Sequence, residues 1–316
     1  MVESLPVLII TFNRPEKFRT LLDNCRKLGV RKIYVAIDGG QSLELKKRYE
    51  SAIQDHLLHH KGTLFVLQRK INLGLATSVM SAVDIFFQQE IKGIILEDDL
   101  VFGREFLDFC DEALVKFADN EHISMISGNQ FFPNSNSLSD ISIGHYPLIW
   151  GWATWRDRWQ SFRKSLEDST ILETPYWIPL KVKYFWLIGF KRAINCEIDS
   201  WAIIYATYVR FRKLICIYPV QNLVSNMGYD SAATHTSGSH WTLNVPVSQM
   251  EILDIELADA INVTESIERD VYNIRFKHKL FYFTYWFPIV SKKKKLVNTL
   301  SSRINLNNSE KFRQYV

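Results

Sequence analysis

Three adjacent acids, Glu97, Asp98 and Asp99, end the apolar run Gly93-Ile94-Ile95-Leu96. Such a run suits a parallel strand buried on both faces, whose carboxyl end delivers charge into a cleft. Carboxylates this close repel, so they must be solvated, protonated or share a cation. Hard oxygen ligands suit Mn2+ or Mg2+, and an ion held there could also grip a diphosphate. Taken alone, the triplet is equally a solvated acidic loop. Asp38 closes a second apolar run, Lys32 to Ile37, and is followed by Gly39-Gly40. Paired glycines let backbone approach a ligand while the carboxylate accepts hydrogen bonds, although a surface turn reads the same way. Asn72-Leu73-Gly74-Leu75-Ala76 opens a helical pattern, where orphan amides and the dipole favour an anion such as phosphate.

The elements that must position these groups follow from periodicity. Pro6 to Thr11, Lys32 to Ile37, Thr63 to Leu67 and Gly93 to Glu97 read as strands. Glu16 to Lys27, Lys46 to His60, Thr77 to Gln89 and Glu105 to Phe117 read as the intervening helices, with Phe12-Asn13-Arg14-Pro15 as the first loop. Strands alternating with helices predict an α/β chain with a parallel sheet and a ligand at the strands' carboxyl ends. Neither GxGxxG after the first strand nor GxxxxGK[ST] occurs, so a dinucleotide fold and a P-loop are unsupported. Later, Trp201 to Phe211 reads as a helix and Leu214 to Pro219 as a strand.

With 316 residues, 47% of them hydrophobic, the chain can bury a large core. Cys25, Cys110, Cys196 and Cys216 are widely spaced and form no CxxC pair, which speaks against a thiolate metal site and for a reducing compartment. No signal peptide or membrane-spanning run is evident, and the tripeptides at Asn262 and Asn307 that fit glycosylation sequons carry little weight without a secretory signal.

Taken together, strand-TFNR, strand-DGG, NLGLA at a helix start, strand-EDD and Ile149-Trp150-Gly151-Trp152-Ala153-Thr154-Trp155 resemble glycosyltransferases of the GT-A fold. The resemblance is to the N-acetylglucosaminyltransferase I type and bacterial relatives that build surface polysaccharides, and it covers roughly residues 5 to 240. It implies a Rossmann-like, mostly parallel sheet flanked by helices. Residues 1–120 would form a nucleotide-sugar-binding half and 121–250 an acceptor-binding and catalytic half. It further implies that Asp38 bonds uracil, with Thr11 and Arg14 lining the nucleotide pocket and Asn72 on the donor side. Asp99 would be the metal ligand, Asp98 near ribose and metal, and Glu97 near the donor sugar. Trp150, Gly151 and Trp152 would contact donor sugar and acceptor, for which an indole face is also chemically apt. Trp155 and Trp159 read better as core. The family places its general base in an acid-Trp sequence similar to Glu197-Ile198-Asp199-Ser200-Trp201, so the resemblance implies Asp199 as general base, with Glu197 as fallback and helix capping as the structural alternative. Related enzymes place a histidine near the position of His235 on the diphosphate or the metal, so the resemblance makes it a candidate metal ligand or diphosphate clamp, with a loop histidine of no functional role as the alternative.

From Val271 onward ten Lys or Arg face the single acid Glu310, interleaved with Phe281, Tyr282, Phe283, Tyr285, Trp286 and Phe287. That composition in 251–316 predicts a helical tail attached to an anionic membrane surface, the alternative being aromatics packed on the domain with the lysines as a solvated face, and no nucleic-acid reader accompanies it. The function expected is therefore Mn2+- or Mg2+-dependent, inverting transfer from a UDP-sugar to a glycan hydroxyl. The acceptor would be a lipid-linked saccharide in O-antigen or capsule synthesis, and the enzyme a cytoplasmic one peripheral to the inner membrane face. A nucleotidylyltransferase would share the sheet and acids but wants a Gly-rich, basic first loop, where this chain offers only Arg14. A carbohydrate-binding protein would keep the tryptophans without needing the acids.

Overall fold

In the first half, β1 (Val7–Thr11), β2 (Lys32–Ile37), β3 (Thr63–Gln68) and β4 (Lys92–Glu97) alternate with α1 (Pro15–Lys27), α2 (Leu43–His59) and α3 (Leu75–Gln89). The computed structural model describes residues 5–131, 139–168, 170–172, 180–227, 246–249, 255–257, 260–264 and 311–315. The four strands run parallel in the order β3-β2-β1-β4. Side chains along each strand alternate between two cores, because successive residues of a strand point to opposite faces. Leu8, Ile10, Tyr34, Ala36 and Ile95 join one core with α3. Val7, Ile9, Ile33, Val35, Ile37, Ile94 and Leu96 join the other, with Phe18 and Leu21 of α1 and Tyr49 and Ile53 of α2. The middles of these strands are apolar because both faces are covered, while polar residues such as Lys32, Gln68 and Glu97 fall at their ends.

The second half continues the same sheet. It adds β5 (Leu100–Phe102), α4 (Arg104–Lys116), β6 (Ile123–Ser127), β7 (Ile141–Gly144), β8 (Trp152–Trp155) and α5 (Arg156–Glu167). After these come α6 (Leu180–Ile194), α7 (Trp201–Phe211), β9 (Ile215–Pro219), β10 (Val224–Asn226), β11 (Ile261–Asn262) and β12 (Arg313–Tyr315). Among the described residues ten strands form one sheet, β11-β7-β9-β6-β8-β4-β1-β2-β3-β12, while β10 pairs antiparallel with β5.

Three features depart from expectation. The tryptophan-rich segment is itself a strand, β8, inserted antiparallel between β4 and β6, so the sheet is mixed at its centre. Helices α2 and α3 begin earlier than periodicity indicates, α2 because Ser42 caps it by accepting from Leu45 N. The third concerns the C-terminal region expected to be helical: Arg313–Tyr315 is a strand, antiparallel to β3, with Phe312 edge-on to Tyr34 at 5.1 Å. Residues 265–310, which carry most of the basic aromatic segment, lie outside the described residues. Among the described residues no helix is long and apolar enough to cross a membrane.

Candidate active site

The connections β1 to β2 and β2 to β3 run through α1 and α2 on one face, whereas β3 returns through α3 on the other to place β4 beside β1. The chain thus switches direction between β1 and β4, and the crevice at their carboxyl ends is where open α/β sheets take ligands. In register Ile10 faces Glu97 and Thr11 faces Ile37, so the ends of β4, β1 and β2 stand side by side.

Thr11 Oγ1 donates to Asp98 Oδ2 at 2.5 Å and lies 2.8 Å from the Tyr49 hydroxyl. Asn13, at φ 58°, turns the chain sharply, and Pro15 starts α1 directly after Arg14. Tyr49 accepts from the Arg14 amide at 3.0 Å, and Arg14 Nη1 reaches Asp99 Oδ2 at 2.6 Å and Asp98 Oδ1 at 3.6 Å. From β10, Asn226 Nδ2 donates to Asp99 Oδ1 at 3.3 Å, and Asp99 O accepts from Met227 N at 2.7 Å. Burial pushes Asp98 up to about 7; the Thr11 bond opposes this, the Asp99 charge adds to it, and Arg14 opposes it. Glu97 is held well above the carboxylate range by burial and by its two acidic neighbours. A further cation would relieve this crowding.

Among the described residues no three His, Cys, Asp or Glu side chains are grouped as a metal-holding set. Hard carboxylate oxygens at Asp98 and Asp99 nevertheless suit Mg2+ or Mn2+, ions that use one or two carboxylates and take the rest of their ligands from water and substrate phosphate. His235 lies outside the described residues.

Asp38 is 3% exposed, and its carboxylate accepts from Gly39 N at 2.9 Å and from Leu73 N at 3.1 and 3.2 Å. Burial raises its pKa; the Leu73 and Gly39 amides and the Arg69 charge oppose that rise, and the Asp199 charge adds to it. Gly39 is required by packing, since a Cβ there would stand 2.3 Å from Ile71 O. Buried Arg69 braces this wall by donating to Ser78 Oγ at 3.1 Å and Ser81 Oγ at 2.8 Å.

The start of α3, expected as an anion seat, already holds protein side chains. Gly74 N donates to Asn72 Oδ1 at 2.7 Å, Leu75 N to Asp199 Oδ2 at 2.7 Å and Ala76 N to Asp199 Oδ1 at 2.8 Å. Asp199 is thus an exposed carboxylate that caps α3 from 123 residues further along the chain, while Ser200, the cap residue of α7, makes no side-chain cap bond. Glu197 pairs with Arg192 at 3.4 Å.

Trp150 is half-buried and edge-on to Phe131 at 5.1 Å, and its amide donates to Asn129 Oδ1 at 3.2 Å. Gly151, at φ 66°, takes a left-handed conformation that favours glycine, and its carbonyl accepts from Gly128 N at 2.7 Å. Trp152 corrects the expectation that it faces substrate. It is 1% exposed and stacks on Trp201 at 5.3 Å within a group that includes Trp159 and Tyr205. Alternation along β8 sends Trp152 into one core and Ala153 and Trp155 into the other. Trp155 and Trp159 are also buried, donating to Leu114 O and Asp84 Oδ1.

Sequence reasoning passed over Tyr49, Arg69 and Asn226. Tyr49 and Arg69 carried no local signal; Asn226 ends the segment Asn222-Leu223-Val224-Ser225-Asn226, whose polar residues after a strand were the available pointer.

No protein-family model matches the chain, and no curated protein matches it. Among solved structures, the glycosyltransferase GlyE of Streptococcus pneumoniae TIGR4 is similar over 68% of this chain and 44% of its own, at 11% identity and TM-score 0.35. A putative glucose-1-phosphate thymidylyltransferase from Bacillus anthracis, solved in complex with a sucrose, is similar over 75% of this chain and 98% of its own, at 8% identity and TM-score 0.39. The chain therefore spans less than half the length of the pneumococcal protein. At TM-scores this low neither likeness bears on the chemistry.

Proposed function

We propose that the protein is a glycosyltransferase that moves a sugar from a UDP-sugar to a hydroxyl of an acceptor glycan with inversion at the anomeric carbon. The carrying observation is the alignment of three strand ends: Asp38 directly follows β2, Thr11 ends β1, and Glu97 ends β4 with Asp98 and Asp99 directly after it. Two strand spacings, roughly 10 Å, separate the outer acids, leaving room for a nucleoside between a base-binding carboxylate and a diphosphate-binding pair. Asp38 would accept from the uracil imide, and Asp98 and Asp99 would hold Mn2+ or Mg2+. When bound, that ion supplies Lewis-acid neutralisation of the departing diphosphate.

The protein's own residues do the rest. Thr11, held by Tyr49, fixes the Asp98 carboxylate, Asn226 fixes Asp99, and the half-buried Trp150 would offer its indole to a sugar ring. Asp199 would take the acceptor proton through lone pairs that the α3 amides leave unused. A lipid-linked saccharide at a membrane face is the acceptor class that the basic aromatic segment favours.

Calorimetric titration of UDP into the full chain tests this reading. UDP should bind with Mn2+ present, bind much more weakly with EDTA, and fail to bind Asp99→Ala under either condition. Absence of UDP binding with Mn2+ or Mg2+ sinks the uridine assignment.

A further inference from the structure

We infer that Arg14 is a built-in stand-in for the divalent cation, one that occupies the acids between turnovers and moves to the diphosphate when donor arrives. The inference rests on the reading of Asp98 and Asp99 as the cation-binding pair. Its own basis is the position of one guanidinium. Nη1 lies 2.6 Å from Asp99 Oδ2 and 3.6 Å from Asp98 Oδ1, so it sits on the oxygens a metal would use. A cation of either kind satisfies those oxygens, but two cations within a few ångströms repel strongly even near a protein surface. Metal and guanidinium therefore compete.

The local backbone lets the side chain move without disturbing the fold. The Arg14 amide is held by the Tyr49 hydroxyl and its carbonyl accepts from Phe18 N, which fixes the loop. The guanidinium extends from this anchored point and its side chain is 17% exposed. Its departure leaves Asp98 tied to Thr11 and Asp99 tied to Asn226, so the carboxylates keep their aim. A diphosphate arriving with its metal brings negative charge for the displaced guanidinium, whose fork matches phosphate oxygens in two-point contact. Ordered binding follows: metal alone binds poorly, and metal with nucleotide binds well.

The test is titration of Mn2+ alone, followed by electron paramagnetic resonance of free Mn2+, on the full chain as wild type, Arg14→Gln and Arg14→Lys. Arg14→Gln should take up Mn2+ about tenfold more tightly than wild type, an uptake abolished by adding Asp99→Asn. Arg14→Lys, which keeps the charge, should stay near wild type. With Mn2+ saturating, Arg14→Gln should bind UDP several-fold more weakly. This opposite sign is what a merely structural role of Arg14 would not produce. Mn2+ uptake by Arg14→Gln that is unchanged, weaker or absent to millimolar concentration overturns the inference. If wild type still binds UDP with Mn2+ in that case, the glycosyltransferase reading stands without it; if UDP binds no form of the protein, the reading has failed as well.

Discussion

Replacing Asp199 separates two jobs that one carboxylate could hold. Both of its oxygens accept from the first amides of α3, at 2.7 and 2.8 Å, and Gly74 before them has no side chain to do so. Loss of a capping side chain costs about 0.5–2 kcal/mol, and loss of a negative charge at a helix N-terminus about 0.3–1 kcal/mol. Asp199→Ala should therefore lower stability by about 2 kcal/mol in urea unfolding and speed exchange of the Leu75 and Ala76 amides by up to about 30-fold. Asp199→Asn keeps one acceptor and should cost about half as much. A positioned base contributes about 10²–10⁴-fold to rate, so if Asp199 also takes the acceptor proton, the Asn variant should lose at least a hundredfold in transfer while remaining folded. Transfer is read as UDP release from UDP-sugars with a lipid-linked acceptor. Unchanged stability and exchange in both variants would refute the capping argument. A destabilised Asp199→Asn that transfers within a few-fold of wild type would make Asp199 a clamp only.

Other perturbations reach the remaining parts of the site and its supports. Thr11→Val keeps the shape but leaves Asp98 and the Tyr49 hydroxyl short of a partner, so urea unfolding should show a loss of about 1–3 kcal/mol. Gly39→Ala forces a methyl against the Ile71 backbone and should cost about 1–3 kcal/mol, weakening UDP binding measured by calorimetry at the same time. Trp152→Ala empties the stacked aromatic core and should cost about 3–5 kcal/mol by the same unfolding assay. Burial, with the charges of His60 and Arg26 adding and Asp23 opposing, lowers His56 to about 4, and neither ring nitrogen has a hydrogen-bond partner. Its folded pKa lies below the unfolded value, so the stability it contributes is complete above about pH 6.5 and is lost as pH falls toward 4. Wild type should lose about 2–3 kcal/mol more than His56→Leu between pH 7.5 and 4.5, measured by urea midpoints; equal losses would refute the assignment.

The parallel half of the fold was legible because strands covered on both faces are apolar without interruption, as Val7 to Ile10 and Ile33 to Ile37 are. β8 was not legible, because an antiparallel insertion between β4 and β6 is a long-range pairing with no trace in the local pattern of Trp152–Trp155. The candidate site divides similarly. Acids at strand ends announce themselves by following an apolar run, whereas Tyr49 acts from within a helix and Arg69 from the connection after β3, positions that look ordinary in sequence. Asp199 stood out as an acid beside a tryptophan, but the sequence held no sign that α3, 123 residues earlier, would take its carboxylate. Side chains that serve a distant backbone become visible only when tertiary contacts are known.

The sheet's two outermost strands change what can be asked of the basic aromatic segment. Among the described residues β11 pairs with β7 at one edge and β12 pairs with β3 at the other, nine strand spacings apart in order. At about 4.8 Å per strand the two edges are separated by roughly 43 Å, and Thr264 and Lys311, which bound residues 265–310, belong to opposite sides of one sheet. The described residues on either side of this segment thus both belong to the folded body. Truncation after Thr264 would also remove β12, uncovering the β3 edge and the Phe312 contact with Tyr34. A change in liposome binding after such a truncation would confound charge with damage to the sheet. Replacing Lys292, Lys293, Lys294 and Lys295 by glutamine alters charge alone while β12 stays paired, so binding to anionic vesicles across a salt series in that variant is the clean measure of surface attachment.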